Sequence, residues 1–241
     1  MSDRGESLSD EESESESPSR VAMLVGATGL IGGHLLEQLL ASPNYQRVIV
    51  VARKSCPSSL KTLEQSKRLR WWTFEQWDAI GHTSNGAEPI DHFFCALGTT
   101  KKQSGKRGLL AIDRDLVVKT ATSAVKAGVS LVSVVSATGA NPRSMFFYNR
   151  VKGEMEHAVG QLHVPQIHFW QPSVLLGARE QQRFAETLAG VLLRWPLPKN
   201  IQARHGAQVA SAMIRAASQN KPGTYRFNVR EIDMFNSGET L

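Results

Sequence analysis

Tyr148 and Lys152, within "FFYNRVKGEM" (146–155), stand four residues apart. On a helix that spacing stacks both side chains on one face. A free phenol titrates near ~10, too high for ready proton exchange at neutral pH. A neighbouring ammonium favours the phenolate and brings it toward the working range. The pair reads either as a proton-transfer device or as two solvated side chains, and the spacing alone does not choose. Twelve residues upstream lies Ser136, in "VVSATGA". A hydroxyl there can hydrogen-bond a substrate carbonyl, with Thr138 as the fallback.

A second group of residues points to an anionic ligand. "GATGLIGG" sets Gly26, Gly29 and Gly32 three apart, after the apolar run Val21 to Val25 and before leucines at helical spacing. Glycine permits a tight turn and lets backbone N–H groups approach a pyrophosphate, while the helix N-terminus adds unpaired donors and partial positive charge. Gly26, Thr28, Gly29, Leu30, Ile31 and Gly32 are therefore the candidate cofactor contacts of this turn. After the second apolar run, where an acid often meets a ribose 2′-hydroxyl, stand Arg53 and Lys54. Basic residues there suit a 2′-phosphate and favour NADP(H), with NAD(H) second. Leu97 and Gly98 end "CALG", and Pro172 ends "QIHFWQP". Both stretches belong to the carboxyl edge of strands, where ligands bind in open α/β sheets. The basic "KKQSGKRG" that follows reads as a flexible segment, either contacting phosphate or simply solvated.

Positioning these residues requires alternating strands and helices. Buried strands are predicted at 21–25, 47–53, 69–74, 91–98, 129–137, 166–172 and 224–229, and helices at 108–128, 146–162, 182–195 and 207–219. That alternation predicts an α/β fold, a Rossmann-like doubly wound parallel sheet of about seven strands with helices on both faces.

Together, the glycine turn, Ser136 and the Tyr148–Lys152 pair resemble the short-chain dehydrogenase/reductase superfamily from about Val21 to Gly177. "CALGTT", "DRDLVVK", "YNRVKGE" and "QPSVLLG" are similar to counterparts in its atypical branch of Tat-interacting-protein-like oxidoreductases. The resemblance implies Tyr148 as general acid/base, Lys152 as the group that lowers its pKa and holds the ribose, and Ser136 as the group that orients the carbonyl. It places Asp113 in the helix where many members carry an asparagine. It implies an NADP-dependent oxidoreductase of a carbonyl or alcohol. The alternative is an NADP(H)-binding redox-sensing regulator acting through a protein partner, as members of this branch are associated with such partners.

Bulk properties set the remaining bounds. The chain has 241 residues, 41% hydrophobic and 21% charged, which suits one folded domain. Residues 1–20 hold seven acids and two bases, so the remainder carries a net charge of +11. The first segment, acidic, Ser-rich and without aromatics, is expected to be a disordered tail. Residues 21–241 are expected to form a single NAD(P)-binding domain, with substrate-pocket elements mainly in 173–205. "FAETLAGVLLRWPLP" there could be a pocket wall, a dimer face or a membrane-touching surface. The basic body suits anionic ligands, but no nucleic-acid motif accompanies it. Expected partners are a small carbonyl or alcohol, and a protein partner or second copy. No run of eighteen apolar residues exists. Cys56 and Cys95 sit in no metal-binding spacing. They read as thiols in a reducing compartment, taken to be the cytoplasm.

Overall fold

The computed structural model describes residues 19–80, 89–99, 101–173 and 206–238. Seven strands among them, β1 (Arg20–Val25), β2 (Tyr45–Ala52), β3 (Leu69–Thr73), β4 (His92–Cys95), β5 (Leu131–Val135), β6 (Gln166–Trp170) and β7 (Gly223–Phe227), make one sheet. Its order is β3-β2-β1-β4-β5-β6-β7, with every neighbouring pair parallel. The predicted Rossmann-like architecture is therefore the observed one.

The apolar runs become strands because both faces of the sheet are covered. In β1, Ala22 and Leu24 point into one core layer, with Leu35 and Leu39 of α1 (Leu30–Ala41), Met213 of α7 (Gly206–Ser218) and Ile232 of α8 (Val229–Ser237). Val21, Met23 and Val25 point into the other, with Val117 and Ala121 of α5 (Val117–Lys126) and Met155 and Val159 of α6 (Phe147–Val159). The strand order reverses direction between β1 and β4, so the loops leaving their carboxyl ends part and open a crevice.

Several boundaries differ from the sequence expectation. β4 ends at Cys95, so Leu97 and Gly98 lie in the loop beyond it. The basic segment after this loop is helical: α4 spans Lys101–Leu109 and kinks at Gly105, where φ is 65°. A π-helical turn, Leu110–Leu116, joins it to α5. Two short helices, α2 (Lys61–Gln65) and α3 (Phe74–Ile80), follow β2 and β3. The unpredicted α8 starts at a reciprocal cap in which Asn228 accepts the N–H groups of Arg230 and Glu231, and Glu231 accepts that of Asn228. The expected tail of residues 1–20 lies outside the described residues up to Pro18, and its last residue, Arg20, opens β1; the helix at 182–195 and the pocket segment 174–205 also lie outside the described residues.

Candidate cofactor cleft and active site

The glycine turn joins β1 to α1. Gly26 has φ of +89°, and a Cβ on it would sit 2.6 Å from the Ala96 carbonyl carbon. A Cβ on Gly32 would come within 1.9 Å of the Gly26 oxygen. Glycine at these two positions lets the turn lie against the end of β4 and lets α1 rest directly on the turn. The Gly29 N–H donates to Gly26 O at 2.9 Å, and Gly29, as N-cap, brings no side-chain cap. No described residue accepts the N–H groups of Leu30, Ile31 and Gly32. With exposed Thr28 and Leu30 at the rim, this is an anion cradle of the kind that fits a dinucleotide pyrophosphate.

Arg53 and Lys54 are exposed just past β2. The Trp71 indole donates to Lys54 O at 2.8 Å and pins the backbone there. Neither basic side chain has a hydrogen-bond or ion partner among the described residues. On the β4 side, Leu97 packs against the core layer of α5 and α6, and Gly98 stays exposed. Pro172 is buried, and its carbonyl accepts the Thr138 N–H at 3.1 Å, tying the loops after β5 and β6 together.

Tyr148 lies in the first turn of α6 and is 40% exposed, with Lys152 one turn on and buried. Asn149 donates to Gly139 O at 2.9 Å, and Gly153 lets the helix lie on the backbone of Asn141 and Pro142. Lys152 Nζ is 3.0 Å from Asp113 Oδ1 and 3.4 Å from Val135 O. Asp113, presented by the π-helical turn, accepts the Thr99 N–H on its other oxygen at 2.9 Å. Burial of the phenol raises the Tyr148 pKa, the Lys152 ammonium lowers it, and the Asp113 carboxylate raises it, leaving it above the ordinary phenol value. Burial works to lower the Lys152 pKa, but Tyr148, Asp113 and Cys95 together hold it above the ordinary amine value. Cys95, at the end of β4, is pushed up to about 11 by burial and is an inert thiol.

Ser136 directly follows β5. It is buried, and its Oγ donates to Glu156 Oε1 at 2.5 Å. In that arrangement the hydroxyl's one proton lies on the carboxylate. Thr138 donates in the same way, to Gln171 O at 2.9 Å. Glu156 also accepts Gln171 Nε2 at 2.8 Å and Arg226 Nε at 2.9 Å, so it binds the ends of β5 and β6 and strand β7 to α6. Sequence reasoning missed Glu156. Its signal was the continuation of the Tyr148–Lys152 stripe by four more residues.

The described geometry defines a dinucleotide-binding Rossmann-like protein of short-chain dehydrogenase/reductase type. Residues 26–163 match the model of the NAD(P)H-binding family, and the chain belongs to that family. Protein HTATIP2 of Rattus norvegicus is 30% identical over 86% of this chain and 84% of its own. A protein named FMP52-1, mitochondrial, from Scheffersomyces stipitis is 31% identical over 83% of this chain and 88% of its own. These relatives bear out the resemblance to the Tat-interacting-protein-like branch of the atypical superfamily. Among solved structures, a short-chain type dehydrogenase/reductase from Mycobacterium ulcerans superposes with TM-score 0.64 at 15% identity, covering 89% of this chain and 90% of that one. MoeE5, solved with UDP-glucose and NAD, superposes with TM-score 0.60 at 18% identity, covering 90% and 81%.

The cytoplasmic assignment is corrected by this comparison, since several relatives are named mitochondrial. The physical reason is simple. Cys56 and Cys95 are free thiols, and free thiols do not separate one reducing compartment from another.

Proposed function

We propose that the chain is an NADP(H)-dependent oxidoreductase that interconverts a carbonyl and an alcohol. The observation that carries this reading is the helix α6 stripe. Tyr148 is half-open to the cleft and lies one turn from a buried, ion-paired Lys152, beside the loops that follow β4 and β5. The nicotinamide of a bound dinucleotide supplies or accepts the hydride. The protein's residues do the rest. The first turn of α1 binds the pyrophosphate through backbone donors, and Arg53 with Lys54 takes the 2′-phosphate. Leu97, Gly98 and Pro172 line the nicotinamide side of the crevice. Tyr148 moves a proton to or from the substrate oxygen, and Lys152 supports its phenolate and the nearby ribose. With its proton on Glu156, Ser136 holds the wall behind the site instead of the carbonyl. A panel of carbonyl compounds with NADPH, followed at the nicotinamide absorbance, tests the proposal. Turnover of at least one compound that disappears in Tyr148→Phe is the supporting result.

One observation favours a second reading. The engaged Ser136 hydroxyl leaves the acid/base set a member short. That suits an NADP(H)-binding regulator that senses redox state and acts through a protein partner. Tight NADPH binding with no turnover across the panel is the result that would select it.

A further inference from the structure

Asp113 and Lys152 are the most deeply buried ion pair among the described residues, with side chains 1% and 2% exposed. Removing both charges from water offsets most of their attraction, so a buried pair is weak support for stability. Its value has to be sought in the groups around it. Asp113 is delivered by the π-helical turn Leu110–Leu116, and such turns occur often at functional sites. Its second oxygen is fixed by the Thr99 N–H from the loop after β4. The carboxylate is thus held from two elements and cannot easily turn from the lysine.

We propose that Asp113 is a positioning residue that holds the Lys152 ammonium and takes up its charge, so that Tyr148 keeps its proton and the site is set as the proton donor of a carbonyl reduction. The inference rests on the oxidoreductase reading above. In the reduction, a bound nicotinamide would supply the hydride of the new C–H bond, and the carbonyl oxygen would take the electron pair of its π bond. The Tyr148 O–H breaks as the substrate O–H forms. The resulting phenolate stands beside Lys152 and regains a proton from solvent. The charges that face this tyrosine are Lys152 from its own helix and Asp113 from the π-helical turn. The lysine in turn faces Tyr148, Asp113 and Cys95 of β4. An aspartate that cancels the ammonium gives a phenol that parts with its proton to substrate and not to bulk solvent.

The test reads Tyr148 directly and needs no substrate. The chain has three tyrosines. Ultraviolet titration of the full chain, minus the same titration of Tyr148→Phe, isolates the Tyr148 phenolate. In Asp113→Asn its midpoint should fall by about one unit or more, the scale of a lost neighbouring charge. Should that variant fail to fold, Asp113→Asn/Lys152→Met decides, because it removes both buried charges together. Its midpoint should stay within about half a unit of the parent's if the two charges cancel at Tyr148. An unmoved midpoint in Asp113→Asn, or a rise of more than about one unit in the double variant, overturns the proposal. Failure of the oxidoreductase reading shows elsewhere, as a carbonyl panel that no variant turns over, and leaves the titration readable.

Discussion

On the β1–β2 side of the cleft, the N–H groups of Leu30, Ile31 and Gly32 and the side chains of Arg53 and Lys54 have no described acceptor. On the β4–β6 side, Lys152, Asp113, Ser136 and Glu156 are all bonded and all buried. The difference follows from what each side handles. A bound anion brings its own charge, so the donors that meet it must be free and already aimed. A proton must move between atoms of matched affinity, so the groups around it must be fixed and their charges balanced. Tyr148 sits at the boundary, part exposed, with balanced charges behind it.

Four changes would break or sharpen this contrast. The largest effect is expected from Tyr148→Phe, which keeps the ring and removes the proton carrier. Turnover of any active carbonyl should fall by roughly two orders of magnitude or more, while NADPH binding is unchanged by titration. Equal turnover would mean that the closed side does no proton chemistry.

Next comes acid. His92 and His168 lie in the sheet on the closed side and titrate near 4 instead of 6.5, because burial disfavours their charged form; the Arg20 charge adds to this at His92. Between those values the unfolded chain binds protons that the folded chain refuses. Stability is therefore full above about pH 6.5 and declines as pH falls, by about 2 kcal/mol per histidine at pH 5. Melting curves at pH 7 and pH 5 check this. His168, whose Nδ1 has no hydrogen-bond partner among the described residues and whose ring packs on Trp170, Tyr225 and Phe227, offers the control. His168→Phe should reduce the acid loss by its share.

Glu156→Gln is expected to cost about 1–3 kcal/mol, the range for disturbing a buried, charge-assisted set. Three donors converge on that carboxylate, and an amide can accept on only one of its two heavy atoms. Denaturant unfolding at constant m-value measures it. A neutral result would mean that the wall behind Ser136 is held by packing alone.

The smallest change tests the open side. Arg53→Ala should weaken NADPH binding roughly tenfold, the worth of one charge-assisted contact, and leave NADH binding nearly untouched. Equal weakening of both cofactors would place Arg53 away from the 2′-phosphate.

The sequence was most informative where a local rule governed the structure. Strands buried on both faces read as apolar runs, and the glycine spacing located the turn because no side chain fits at Gly26 or Gly32. The Tyr148–Lys152 register followed from helix periodicity alone. Ser136 shows the limit. Its type suited a carbonyl donor, but its partner is Glu156, twenty residues on in another element, which one-dimensional pattern cannot pair. Asp113 fails to announce itself for a different reason. Its direction depends on a π-helical turn, and regular 3.6-residue periodicity assigns that stretch to an ordinary helix. α8 was missed although its capping signal, Asn228 with Glu231, was present, because it follows β7 without a loop to mark the change.

The π-helical turn has a consequence for how this chain drifts among its kin. Such a turn is one residue richer than the α-helix it interrupts. Loss of a single residue between 110 and 116 would therefore leave a smooth helix that shows no defect of its own. The helices on either side would keep their faces, because the π turn had absorbed the extra residue, and only the side chains of the turn itself would be redirected. The deletion would be invisible to helix propensity and would still carry the Asp113 carboxylate off Lys152. When relatives are aligned, a one-residue gap in this stretch marks a changed site, and counting matched letters on either side of it would pass over the change.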